Sequence, residues 1–184
     1  VLFLLLFMAT TAIFGQRAGV TPRAVPPVDE TQDFGVAPSA ELRLVDHASP
    51  TPREIPGART ISTADVRKLL QLAPGRRPAF FDALGDEHHA SLPGAVSLPG
   101  VGNGTSFDDE IQARLAKTLA AVTGDDRART LIFFCTGPHC WLSYNAALRA
   151  VRLGYPDVRW YRGGLEAWGA GGGALTELRT VWTR

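Results

Sequence analysis

The segment Thr130-Leu131-Ile132-Phe133-Phe134 has no polar side chain after its threonine, and it stops at Cys135-Thr136-Gly137-Pro138. A strand with one wet face alternates apolar and polar residues, so an unbroken apolar run reads as a strand covered on both faces. Such a strand needs parallel neighbours in its sheet and helices packed on either side. The chain from Gly57 onward supplies both. Ala58 to Ile61 is β-like, and Ser62 with Asp65 forms a capping pair ahead of the Val66, Leu69, Leu70 stripe, which Pro74-Gly75 ends. Pro78 to Asp82 and Ala95 to Leu98 read as short strands. Asp108, Asp109 and Glu110 open a helix with Ile111, Leu115, Leu119 and Val122 on one face and Gly124 at its end. A helix over Leu142 to Leu153, a strand over Val158 to Tyr161 and a short helix from Gly163-Gly164 to Trp168 complete the series. The predicted fold is α/β, an open parallel sheet flanked by helices. Ligands of such sheets bind beyond the carboxyl ends of the strands, where Cys135 stands.

Ahead of this pattern the chain reads differently. Val1 to Phe14 is almost wholly apolar, the length of a secretory h-region and short of the roughly 20 residues of a spanning helix. Residues 1–18 are expected to be a signal peptide or an uncleaved anchor, and either places the folded part in the periplasm or otherwise outside the cytoplasm. A membrane partner follows only if that segment is retained. Residues 19–56 form a Pro-rich N-terminal extension, with Pro22, Pro26, Pro27, Pro38, Pro50, Pro52 and Pro56 ruling out long helices. It is expected to drape over the domain at 57–184, with one short edge strand at Leu42, Leu44 and Val45. The 19 basic and 18 acidic residues leave a formal net charge of +1 and form no basic block, which speaks against nucleic-acid binding.

Cys135 and Cys140 are the 2 cysteines of the chain. A thiol between a strand end and a helix N-terminus meets loop N–H groups and the positive end of the helix dipole, which favour the thiolate. An inert buried cysteine ending an apolar strand is the plainer alternative. Cys140 either pairs with Cys135 as a redox or resting disulfide, or packs under Trp141 and never meets it. A soft metal set from the two cysteines, His139 and His88 or His89 lacks finger-like spacing, so no metal is assigned. Asp82 is expected to serve as a hydrogen-bond acceptor at its strand end. No Arg closes the loop to grip phosphate, which sets a phosphatase aside.

Four ordered segments sharpen this reading. Phe80-Phe81-Asp82, Leu92-Pro93-Gly94-Ala95-Val96-Ser97-Leu98-Pro99, Phe133-Phe134-Cys135, and Val158 through Gly163-Gly164 to Trp168 together resemble the rhodanese-like domain family. The resemblance implies sulfur transfer: a catalytic Cys135 takes sulfane sulfur from a small donor, holds it as a covalent persulfide without other cofactor, and passes it to an acceptor. It makes Thr136, Gly137, Pro138, His139, Cys140 and Trp141 the active-site loop, supported by Asp82, Ser143, Asn145 and Arg162. Cys140-Trp141 with Ser143, Asn145, Ala146 and Ala147 is similar to the rhodanese-like group associated with pyrroloquinoline-quinone (PQQ)-dependent catabolism and a CXXCW motif. Here four residues separate the cysteines instead of two, so that motif carries over at its Cys-Trp end only. The group implies a periplasmic quinoprotein dehydrogenase as partner. The alternative to a sulfurtransferase or persulfide carrier is therefore a non-catalytic accessory protein of that system. The loop's one ionisable base is His139, which disfavours anionic thiosulfate as donor, while Arg162 is a further source of positive charge.

Overall fold

Leu131–Phe134 becomes the strand around which the sheet is laid, and all four residues are buried. The computed structural model describes residues 28–85 and 89–180. In chain order the elements are β1 (Arg59–Ile61), α1 (Thr63–Leu70), a 3₁₀ turn (Pro74–Arg76), β2 (Ala79–Asp82), β3 (Ala90–Ser91), β4 (Val96–Ser97) and α2 (Glu110–Thr123). Then come β5 (Leu131–Phe134), α3 (Trp141–Arg152), β6 (Val158–Tyr161), α4 (Gly164–Ala170), β7 (Thr176–Glu177) and β8 (Arg179–Thr180). The main sheet has the order β1-β6-β5-β2-β4-β8, and its described pairs are parallel. Strand β5 lies inside it, with Phe133 opposite Phe81 of β2 and Trp160 of β6.

Alternation along the strands divides the core. Leu131, Phe133, Phe81 and Trp160 face α2 and α3 in one cluster with Leu115, Leu119, Tyr144 and Ala147. Ile132, Phe134, Phe80 and Tyr161 face α1 and α4 in the other, with Val66 and Trp168. The period of 2 in the strands sends successive side chains to opposite layers, which accounts for the lack of a polar face in β5.

The expected α/β architecture is thus what the chain adopts, with differences at its margins. Ser62 caps α1 in a full capping box with Asp65. Helix α3 begins at Trp141, with Cys140 as N-cap. Leu42, Leu44 and Val45 do not form the expected edge strand: Leu44 and Val45 are exposed, and the edges of the sheet are β1 and β8. Proline at 38, 50 and 52 leaves this stretch without a regular ladder, and it is held by side chains of α3 instead. The antiparallel pair β3–β7 and the edge strand β8 were not expected, since two-residue strands carry no period to read. The signal or anchor segment at 1–18 and the start of the extension lie outside the described residues. Among the described residues no helix is long and apolar enough to cross a membrane.

Helices α2 and α3 are locked by an ion pair between a buried arginine and a partly buried aspartate. Arg149, fully buried on α3, donates to both carboxylate oxygens of Asp109 at 2.9 and 2.8 Å, and Asp109 also accepts from the Gln112 N–H as the N-cap of α2. Partial burial works to raise the Asp109 pKa, but hydrogen bonds from Arg149 and from backbone N–H groups outweigh it and hold the carboxyl at about 2. Because the folded value lies below the unfolded one, this group stabilises the fold above about pH 4 and loses that contribution as pH falls toward 2. Asp109→Asn is expected to cost about 2 kcal/mol at neutral pH. It should also flatten the acid loss of stability over that window, as read by urea unfolding at stepped pH.

Candidate functional site

Where β5 ends, the chain turns through Cys135 to Cys140 into α3. The two cysteines form a disulfide with their Cα atoms 6.2 Å apart, inside the roughly 4.4–6.8 Å range of such bridges. Cys140 therefore meets Cys135 and does not simply pack under Trp141. Both are buried, Cys135 at 1% and Cys140 at 6% exposure. The Thr136 hydroxyl lies 3.9 Å from the Cys135 sulfur.

The first half of the loop is held by the body of the domain. Leu165 and Glu166, at the start of α4, donate their N–H groups to the carbonyls of Cys135 and Thr136 at 2.9 and 2.8 Å. Gly164 makes that approach feasible. Its φ of +56° is left-handed, and a Cβ there would run into the Cys135 carbonyl and the Thr136 backbone. The Glu166 carboxylate rests against Gly137, where any added Cβ would collide with it.

The second half is held by the N-terminal extension. Thr51, fully buried, donates to the Pro138 carbonyl from its N–H at 3.0 Å and from its hydroxyl at 2.6 Å. The Trp141 N–H donates to the His47 carbonyl at 2.9 Å, and its indole N–H to the Pro50 carbonyl at 3.1 Å. Cys140 offers α3 no side-chain cap, and the extension satisfies a different one of the helix's free N-terminal donors, the N–H of Trp141 at the first helical position. The Trp141 N–H at the helix N-terminus is thereby occupied.

The supporting residues take distinct places. Ser143 accepts from the Trp160 indole at 3.0 Å and lies under the start of α3. Asn145 does not buttress the cysteine loop. Its amide grips the N–H and carbonyl of Arg43 and the carbonyl of Gly102. Tyr144, one residue earlier, exchanges two hydrogen bonds with Ser39, and burial raises its phenol pKa. Asp82 is fully buried and accepts from the Leu84 N–H, the His89 ring and the Ser91 hydroxyl, tying β2 to β3. His88 falls outside the described residues. His139 is exposed, with its ring 4.8 Å from that of Phe34.

Arg162 does not offer its charge to a donor. It is 1% exposed, stacks over Phe34, and donates to the Thr51 hydroxyl and carbonyl and to the Glu30 carbonyl. Burial lowers its pKa and the Arg53 charge adds to that, against Asp29 and Asp33. Sequence reasoning missed His47, Pro50 and Thr51 as site residues. Two of the three act through backbone carbonyls, which no residue type advertises.

These positions coincide with a known domain. The Rhodanese-like domain model matches residues 62–170. Comparison with curated proteins finds no match. Among solved structures, thiosulfate sulfurtransferase from Pseudomonas aeruginosa is similar at 21% identity and a TM-score of 0.46, over 67% of this chain. This chain spans only 21% of that protein's length. The polysulfide-sulfur transferase homodimer from Wolinella succinogenes is similar at 17% identity and a TM-score of 0.46, over 65% of this chain and 79% of that one.

With both cysteines in one bond, the native protein should give no thiol to iodoacetamide until it is reduced, and two thereafter. Intact mass of the unreduced chain checks this, and a labelled cysteine without reductant would contradict it.

Proposed function

We propose, from the premise that this chain belongs to the Rhodanese-like domain family, that Cys135 carries sulfane sulfur as a persulfide and that Cys140 resolves it. The observation that carries this reading is the bond between the residue at the family's nucleophile position and a second thiol in the same loop. In this cycle a dithiol reductant opens the disulfide, giving two thiols as it becomes oxidised. The Cys135 thiolate then attacks the sulfane sulfur of a small donor, and the remainder of the donor leaves with the bonding electron pair. The Cys140 thiolate attacks the Cys135 sulfur, expels the outer sulfur as hydrosulfide, and restores the disulfide. The net change is reduction of one sulfane sulfur to sulfide by one dithiol.

The surroundings favour a donor other than thiosulfate. A Glu166 carboxylate lies against the loop, and Arg162 is turned toward the extension rather than toward a ligand. A dianion would meet a negative group without the basic clamp that usually binds it. An exported location fits the resting disulfide, since such bonds persist in oxidising compartments. The apolar run at Val1 to Phe14 supports the same reading. A second reading, an accessory protein of a quinoprotein system in which the bond is purely structural, draws on its burial.

The two readings part in one experiment. Reduced Cys140→Ser protein, mixed with a sulfane-sulfur donor, is expected to gain one sulfur on Cys135 and keep it. Wild type should return to the disulfide, and Cys135→Ser should gain nothing. Equal sulfur uptake by Cys135→Ser, or none by Cys140→Ser with any donor, removes the persulfide reading.

A further inference from the structure

The loop that carries the two cysteines is gripped from two directions, and the boundary between the grips falls between the cysteines. Residues Cys135 and Thr136 are held by α4 through the N–H groups of Leu165 and Glu166. Pro138 and Trp141, which flank Cys140 on both sides, are held by residues 47–51 of the N-terminal extension through His47, Pro50 and Thr51. Thr51 is the joint between the two. Its hydroxyl donates to the Pro138 carbonyl at 2.6 Å and accepts from the Arg162 guanidinium at 3.1 Å. Arg162 follows β6 directly, so it ties this point of the extension to the sheet.

From this division we infer that Thr51 is a positioning residue for the cysteine pair, and that seating of the extension and closure of the disulfide are coupled. The inference rests on the redox cycling proposed above for the same two thiols. Position is the physical link. A disulfide is favoured in proportion to the effective concentration of one thiol at the other, and that rises when the backbone already holds both at bonding range. The extension supplies that hold for Cys140 alone. Coupling between two equilibria is reciprocal, so whatever stabilises the disulfide through the seated extension must also loosen the extension when the disulfide opens.

Further along, the extension is anchored to α3 by Tyr144 on Ser39 and Asn145 on Arg43, so residues 47–51 can part from the loop while the rest stays in place. Reduction would then free the Trp141 N–H from His47. It would also release the Pro138 carbonyl from Thr51, so that the Cys140 half of the loop loosens while the Cys135 half stays on α4.

The test is an equilibrium titration of the full chain in dithiol redox buffer with no sulfur donor present, the disulfide fraction being read by alkylation and intact mass. Thr51→Val keeps the shape and removes both hydroxyl interactions. It is expected to lower the stability of the disulfide about tenfold, which moves its midpoint about 30 mV toward more oxidising potential. Thr51→Ser, which keeps the hydroxyl, should restore the wild-type midpoint. Hydrogen exchange of wild type supplies the reciprocal half. Reduction should speed exchange at the Thr51 and Trp141 amides at least tenfold and leave Leu165 and Glu166 nearly unchanged.

Thr51→Val and wild-type midpoints within twofold of each other in equilibrium constant, or exchange rising equally at all four amides, overturn the coupling. Should Thr51→Val fail to fold, the wild-type exchange comparison decides alone. Neither measurement depends on sulfur transfer, so loss of the persulfide reading and loss of the coupling are separate outcomes.

Discussion

A strand buried on both faces can satisfy its backbone only through neighbouring strands, and its side chains only through layers above and below. Leu131–Phe134 imposes that condition on this chain. It requires β2 and β6 in parallel on either side and α2, α3, α1 and α4 against the two faces. It also fixes where the chain must turn. The apolar run ends at Cys135, at the carboxyl edge of the sheet, and the next residues have to enter α3. The loop that joins these two elements is short, and its backbone groups need partners from elsewhere.

Those partners come from two remote parts of the sequence, and this shapes the chemistry. Helix α4 reaches the Cys135 end because Gly164 permits a contact that a side chain would block. The extension reaches the Cys140 end because α3 begins without a side-chain cap and presents Trp141, Tyr144 and Asn145 toward it. The position of Arg162 after β6 points to a ligand-binding cation, yet its Nε, Nη1 and Nη2 all donate to the extension and join it to the sheet. Charge that another site of this kind would present to an anion is here used internally.

Much of this was legible beforehand, for identifiable reasons. The apolar run, the Ser62–Asp65 pair and the acidic start at Asp108, Asp109 and Glu110 with Gly124 at the far end are local signals, and the elements they mark form as read. Cys135 could be placed because a strand end is a local event. The pairing of Cys135 with Cys140 is not a local signal, since it depends on how the loop is held by residues as distant as Thr51. Nothing local in the sequence marks Arg149 or Arg162 for burial, and each is buried because partners 40 and 111 positions away receive it. The expected strand at Leu42 to Val45 failed because alternation was present without a neighbouring strand to pair with. The contacts that seat the extension use carbonyls of Ser39, Arg43, His47 and Pro50, and every residue type carries one of those.

If Cys135 and Cys140 cycle as proposed, one disulfide closes for each sulfane sulfur expelled as sulfide. A single-turnover mixing of the reduced chain with one equivalent of a sulfane-sulfur donor, following sulfide and Cys135–Cys140 closure together, addresses it directly. Sulfide and disulfide are then expected to appear at one rate and in one-to-one yield. Sulfide released with both thiols still free, or a disulfide formed with the donor's sulfur unreduced, would contradict it.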